Sequence, residues 1–125
     1  MNTKIACFLL IFCGFFLKTI QAQELQARHQ GIASWYSAAD PSIHPFTASG
    51  EAFDDTKPTC ASWDFPFGTY LKVVNLANGK SVVCRVNDRG PNPSLKRTID
   101  LTKSSFKKIA DTRQGLIQVA VIPLL

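Results

Sequence analysis

Two aspartates, Asp88 and Asp100, lie in sequence surroundings that suit a carboxyl group for proton transfer. Asp100 stands between Ile99 and Leu101 in an apolar stretch, where loss of water favours the neutral carboxyl and raises its pKa. Asp88 heads an Asp-Arg-Gly-Pro turn that holds its side chain rigidly. If the two carboxyls face each other, their repulsion raises one pKa further. Such groups can act as a general acid and base near neutral pH.

Each aspartate also has an ordinary structural explanation. Asp88 can cap its own turn, as aspartate side chains often do. Asp100 can pair with Arg97 or Arg89. The residues around them do not decide between these roles, which depend on the elements that position the two side chains.

The start of the chain predicts export. A basic residue, Lys4, is followed by an uninterrupted apolar run at 5–17 and then by polar residues, which is the order of a secretory signal cleaved after Ala22. The run is too short to span about 30 Å of hydrocarbon, which takes about 20 residues. Cys13 follows Phe12 instead of a small residue, so we expect release to the periplasm or the medium rather than lipid anchoring.

A single domain is therefore expected after processing. The predicted organisation is a signal peptide at 1–22, a short polar leader at 23–30 and one domain at 31–125. The chain carries 14 Lys and Arg against 9 Asp and Glu. This excess indicates either a solvated surface or weak attraction to an acidic polymer such as a bacterial wall, and it does not choose between them. We expect a monomer without nucleic-acid partners.

Only Cys60 and Cys84 remain after the predicted processing. An even pair in a small exported chain predicts a disulfide, worth roughly 3 kcal/mol on the chain-entropy model. Zinc is a poor alternative, because two cysteines are too few and His29 and His44 lack finger-like spacing to them. We therefore predict neither a metal nor an organic cofactor.

The pattern of short apolar runs predicts an all-β barrel. Two β-branched runs at 69–76 and 80–87 flank Asn78-Gly79, the strongest short-range signal for a hairpin. Further strands are predicted at 31–36, 97–101 and 116–122, and Thr102 is predicted to cap one short helix. Residues 37–67 are rich in Pro, Ser, Asp and Gly, which favours long loops with about one helical turn.

Five segments together resemble the rare-lipoprotein-A family. They are GIASWY, FTASGEAFD, PFGTYLKVVNLANGKSVV, VNDRGP and RTIDLTKSSFKKIA, in the order that the family shows. The likeness as a whole covers Gly31 to about Ile122. The resemblance implies a six-stranded double-psi β-barrel with one or two short helices and a shallow groove for polysaccharide. This is the domain of septal lytic transglycosylases, related more distantly to expansins and barwin-like proteins.

The resemblance also implies acidic groove residues, which by motif are Glu51, Asp54, Asp88 and Asp100. A lytic transglycosylase needs one carboxylic acid, which protonates the glycosidic oxygen and then accepts the proton of the sugar's C6 hydroxyl. Asp100 is the first candidate for this acid and Asp88 for its partner, although their roles can be exchanged. Glu51 and Asp54 either bind substrate or are simply solvated.

Aromatic and hydroxyl side chains complete the predicted groove. Tyr36 and Trp63 are favoured as stacking contacts to sugar rings, with core or rim packing as the alternative. Thr47 and Ser49 either hydrogen-bond the glycan or shape the loop. The chain departs from the family at Ser62, where the family commonly has a histidine before its Pro-Phe-Gly-Thr motif.

Two functions follow from the resemblance. The first is an endolytic peptidoglycan lytic transglycosylase that leaves 1,6-anhydro ends during cell-wall remodelling. The second is an expansin-like protein that binds or loosens wall polysaccharide without turnover. Asp88 and Asp100 favour the enzyme, whereas Ser62 and the lack of a companion domain favour the binding protein. A secreted inhibitor of the barwin type is a weaker third possibility.

Overall fold

The computed structural model describes residues 29–125, so the predicted signal peptide and most of the leader lie outside the described residues. Six strands form a closed barrel in the order β1-β5-β2-β4-β3-β6, which confirms the predicted double-psi β-barrel class. The strands are β1 (His29–Tyr36), β2 (Thr59–Ala61), β3 (Tyr70–Asn75), β4 (Ser81–Asp88), β5 (Ile99–Thr102) and β6 (Ile117–Leu124). One α-helix, α1 (Lys103–Ile109), and two 3₁₀-helices, Pro93–Leu95 and Thr112–Gln114, connect them.

The core fills the barrel interior with the inward-facing residues of each strand. In β3, buried Leu71 and Val73 alternate with exposed Tyr70 and Lys72, as expected when one face of a strand is solvated. The largest fully buried side chain is Phe106 of α1. The remaining core residues include Val86, Ile99, Leu101, Ile109, Val119 and Val121.

The predicted disulfide is present. Cys60 of β2 and Cys84 of β4 are bonded, with 5.8 Å between their Cα atoms, and both side chains are fully buried. The bond therefore joins two strands that pair in parallel at the centre of the site described below.

The structure corrects the prediction of loops for residues 37–67. This stretch contains β2, a three-residue strand whose residues are all buried between β4 and β5. A strand this short and buried on both faces shows no alternation by which the sequence could reveal it. The expected helical turn is also wrong, because the rest of 37–67 consists of turns, bends and one isolated bridge between Phe46 and Ala52.

Two element boundaries also differ from the prediction. Strand β1 begins at His29, inside the predicted leader, because His29 and Gln30 pair with Val121 and Ala120 of β6. Thr102 occupies the N-cap position of α1 as predicted, but its side chain makes no cap hydrogen bond. The Thr102 hydroxyl donates instead to the Lys57 carbonyl at 2.7 Å, which ties the loop before β2 to the helix.

Within residues 29–125, no helix has the length and apolar character needed to cross a bilayer.

Candidate functional site

The two predicted acids lie in one row across three neighbouring strands. Ala61 of β2 pairs with Asp88 of β4 on one side and with Asp100 of β5 on the other. Neighbouring strands lie about 4.8 Å apart, so the two aspartate backbones are about 10 Å apart. Ile99 and Leu101 point into the core, and Asp100 between them therefore projects from the outer surface of the barrel. The small side chain of Ala61 leaves space between the two carboxyls.

Asp100 is held by a chain of two donors. The Ser34 hydroxyl of β1 donates to Oδ1 of Asp100, and Nη1 of Arg97 donates to Oγ of Ser34 at 3.2 Å. Burial raises the pKa of Asp100 above its ordinary value, and the charge of Asp88 adds to the rise. The Ser34 hydrogen bond and the Arg97 charge act in the opposite direction. The carboxyl of Asp100 is therefore biased towards its protonated form.

Three donors fix the orientation of Asp88. Its Oδ1 accepts the backbone N–H groups of Ala48 and Arg89, both at 2.9 Å, and its Oδ2 accepts the Tyr36 hydroxyl at 3.4 Å. Burial raises the pKa of Tyr36 well above its ordinary value, with further contributions from Asp88 and Asp100. Tyr36 therefore remains protonated and acts as a donor.

Both aspartates line a cleft of about 240 Å³ on the barrel surface. The loop before β2 forms one wall, and the turn after β4 forms the other. Gly90 in that turn has a φ of 151°, and a Cβ there would lie 3.7 Å from Oδ2 of Asp100. The positive φ, and not the distance to the carboxyl, is what favours glycine at this turn. The other lining residues are Tyr36, Ser42, Ile43, His44, Phe46, Ala61, Arg89, Pro91 and Asn92.

A larger depression of about 840 Å³ lies elsewhere, between the β3–β4 hairpin and the end of α1. Its carboxyl group, Asp111, is engaged by Arg113 at 2.6 Å. We place the candidate site at the smaller cleft because two carboxyls line it and one of them has a raised pKa.

The predicted aromatic contacts lie at or beside the cleft. The Tyr36 ring stacks on Phe53 with 4.6 Å between centroids, and its hydroxyl reaches Asp88. Trp63 is 56% exposed, and its Nε1 donates to the carbonyl of Pro91 in the cleft wall at 2.7 Å. The exposed indole face is thus available to a ligand next to the cleft.

Thr47 and Ser49 shape the loop that approaches Asp88. Thr47 is buried, and its Oγ1 lies 2.8 Å from Oγ of Ser49. The Ser49 N–H donates to the carbonyl of Asn87 at 3.2 Å, which pins the loop to the end of β4. These contacts bring the backbone of Ala48 to Asp88.

The structure does not bring Glu51 and Asp54 into the cleft. Both oxygens of Glu51 accept from the guanidinium of Arg85, at 2.7 and 2.8 Å, and hydrogen bonds from Arg85 and Asn87 lower the pKa of Glu51 to about 2. Asp54 accepts from the hydroxyl and the N–H of Thr56, which lowers its pKa. Both acids hold the same loop in place.

Sequence reasoning missed Ser34 and His44. Ser34 lies in an unremarkable small-residue run, and only the pairing of β1 with β5 brings it to Asp100.

Ser62, at the family's histidine position, is 2% exposed, and its Oγ accepts from the N–H of Asp64 at 3.1 Å. In residues 29–125, no group of three His, Cys, Asp or Glu side chains is arranged to hold a metal ion.

A family model matches nearly all of the described residues. The model of the family described as lytic transglycolase matches residues 28–121, and the chain belongs to that family.

Individual relatives carry related names. A probable endolytic peptidoglycan transglycosylase RlpA of Synechocystis is 46% identical over 92 residues, covering 73% of this chain and 27% of the relative. The endolytic peptidoglycan transglycosylase RlpA of Pseudomonas aeruginosa is 43% identical over 95 residues, covering 75% of this chain and 27% of the relative. That of Neisseria meningitidis is 36% identical, covering 82% and 42%. The chain thus spans less than half the length of these relatives.

Solved structures share the fold at low identity. A mutant Clavibacter michiganensis expansin in complex with cellohexaose aligns with a TM-score of 0.60 at 18% identity, over 78% of this chain and 50% of the expansin. A Streptomyces papain inhibitor aligns with a TM-score of 0.62 at 22% identity, over 78% of this chain and 94% of the inhibitor. These likenesses support the barrel fold alone.

Proposed function

We propose that the protein is an exported lytic transglycosylase that cleaves the glycan strands of peptidoglycan and leaves 1,6-anhydro ends. The observation that carries this proposal is Asp100, a half-buried carboxyl with a raised pKa in a surface cleft. Membership of the family and the names of the relatives support the same reaction.

The proposed reaction needs one proton carrier. Neutral Asp100 donates its proton to the glycosidic oxygen while the bond from that oxygen to C1 breaks. The C6 hydroxyl of the same sugar then attacks C1, and its proton passes to the Asp100 carboxylate. The acid is restored, water is not consumed, and the second half of the reaction is intramolecular, which favours it strongly.

The neighbours of Asp100 stabilise its carboxylate in the part of the reaction in which it has lost its proton. Once Asp100 has lost its proton, the Ser34 hydrogen bond and the Arg97 charge stabilise its carboxylate. Asp88, oriented by its three donors, stands about two strands away and can stabilise positive charge that develops on the sugar ring. Trp63 offers an exposed face on which a neighbouring sugar can stack.

The open cleft suits a long polymer entering from the side, which supports an endolytic mode of cleavage. Signal removal after Ala22 and action as a monomer outside the cytoplasm are parts of the same proposal. Mass spectrometry of purified glycan strands incubated with the mature protein tests the reaction. We expect anhydro-ended products; reducing ends would indicate hydrolysis instead. Unchanged but bound strands would support the expansin-like alternative that Ser62 suggests.

A further inference from the structure

His44 is an exposed imidazole in the wall of the cleft that contains Asp88 and Asp100. Its Nδ1 lies 3.1 Å from the backbone nitrogen of Phe46, which donates to it. Nothing in the proposed proton transfer uses His44. Because it lines the same cleft as two carboxyls, another role for it can be sought in ligand binding.

Nδ1 of His44 lies 3.1 Å from both the N–H and the carbonyl oxygen of Phe46. In the neutral tautomer that accepts the Phe46 N–H, the proton lies on Nε2, because an N–H group can only donate. In the imidazolium, Nδ1 can donate to the Phe46 carbonyl, also 3.1 Å away, and Nε2 keeps its proton. Nε2 is therefore a donor in both of these forms. Among residues 29–125, it has no hydrogen-bond partner.

Apolar side chains flank this donor. Ile43 is half-buried beside His44, and the Phe46 ring is 56% exposed with its centroid 6.3 Å from that of the imidazole. All three side chains line the cleft. A single N–H donor between apolar surfaces matches a ligand group that carries a carbonyl oxygen next to a methyl.

We propose that His44 recognises the 2-acetamido group of an N-acetylated sugar, with Nε2–H donating to the acetamido carbonyl while Ile43 and Phe46 contact the methyl. The proposal rests on the proposed function, since it assigns a subsite to the same cleft. It goes further by making the cleft selective for amino-sugar polymers over plain glucans. His44 is a binding residue in this account and does not transfer the proton.

The competing explanation is that His44 only holds its loop through Phe46. Two variants separate these roles. In His44→Asn, the amide oxygen can accept from the N–H two residues on, as Asp40 accepts from Ser42 at 2.9 Å and Asn92 from Ser94 at 3.1 Å, while the Nε2 donor is lost. In His44→Gln, the longer amide places an N–H donor near the Nε2 position and loses the loop contact.

The experiment measures the binding of the mature protein to the hexasaccharide of N-acetylglucosamine and to cellohexaose by calorimetry. The two probes share a β-1,4-linked backbone and differ at C2. We expect wild type to prefer the acetylated probe, and His44→Asn to bind it about three- to tenfold more weakly, as loss of one hydrogen bond implies. Its cellohexaose affinity should not change. His44→Gln should restore most of the preference.

Equal wild-type affinity for both probes, or failure to bind either, would overturn the proposal. The proposal would also be overturned if His44→Asn kept the wild-type preference for the acetylated probe while His44→Gln lost it. That pattern would show that His44 only holds its loop in place. Cleavage of peptidoglycan strands by the wild type is assayed in parallel. If strands are cleaved without acetamido selectivity, only this inference fails; if they are neither bound nor cleaved, the proposed function itself fails.

Discussion

In the proposed reaction, Asp100 must hold a proton before the glycosidic bond breaks and must be stable as a carboxylate immediately afterwards. Burial supplies the first condition by raising its pKa, and the Ser34 hydroxyl and the Arg97 charge supply the second. Burial outweighs the other two, since the net pKa shift is upward. An acid with opposing influences of this kind can both donate the proton and accept it back.

This balance predicts a pH-dependent stability cost. Because the pKa of Asp100 is raised on folding, the native state binds more protons than the unfolded state, and stability falls as pH rises from the ordinary carboxyl pKa through the raised one. Asp100→Asn does not titrate there. We expect the variant to be more stable than wild type at neutral pH, with the difference shrinking as pH falls to 4. Denaturant unfolding at several pH values measures this, and a difference independent of pH would contradict it.

The site was predictable at some residues and hidden at others. The apolar neighbours of Asp100 predict that its side chain is buried, and the Gly-Pro turn predicts that the side chain of Asp88 is held rigidly. Sequence could not show that Glu51 is paired, because Glu51 lies in a loop and its partner Arg85 lies 34 residues away on β4. His44 was missed for a similar reason, since only the folded loop brings it into the cleft that Asp88 and Asp100 line.

Strand β1 and the segment before β5 approach each other closely at Gly31. A Cβ on residue 31 would lie 1.7 Å from Oγ1 and 2.6 Å from Cβ of Thr98, and the Thr98 N–H is fixed by its bond to Ile32 at 2.8 Å. Further along β1, Ser34 pairs with Asp100 of β5.

Gly31→Ala should therefore destabilise the barrel by about 1–3 kcal/mol, the usual cost of overpacking. In a domain of this size, each kcal/mol lowers the melting temperature by roughly 4–8 °C. Thermal melts measure the effect, and adding Thr98→Gly should recover part of it by removing the clashing atoms. A single variant that melts with the wild type would show that the two segments are not held this closely.

Long strands with one face in solvent could be predicted from the sequence, whereas the short strand buried on both faces could not. The β3–β4 hairpin was predicted because Asn78-Gly79 separates two long runs, and β3 alternates clearly between core and solvent. Strand β2 was not predicted because its three residues are buried on both faces. The element that separates the two acids is thus the one that sequence patterns reveal least.

At the scale of the whole molecule, the disulfide ties β2 to β4 across a sequence separation of 24 residues. Replacing both cysteines, Cys60→Ala with Cys84→Ala, should lower the free energy of unfolding by about 3 kcal/mol, because the unfolded chain regains the entropy of an open loop. Chemical denaturation of oxidised protein measures this. Reduced wild type serves as the matched control and should resemble the double variant. A double variant as stable as the oxidised wild type would contradict the prediction.

The barrel class was predictable because several motifs in a fixed order carry more information than any single one. The arrangement of its loops was not, because residues 37–55 are positioned by long-range contacts such as Ser49 to Asn87 and Ser37 to Asp55. Those contacts create the cleft. The fold therefore follows from local patterns and resemblance, whereas the detailed site depends on tertiary structure.

We propose that Asp100 is the acid of a lytic transglycosylase. The decisive measurement quantifies the anhydro-ended products that wild type, Asp100→Asn and Asp88→Asn each form from glycan strands. We predict that Asp100→Asn stays folded in thermal melts, still binds strands, and loses about 10²–10⁴-fold in cleavage rate, the usual contribution of general acid–base catalysis. Asp88→Asn should lose less. A folded Asp100→Asn variant that forms anhydro ends at the wild-type rate would contradict the account.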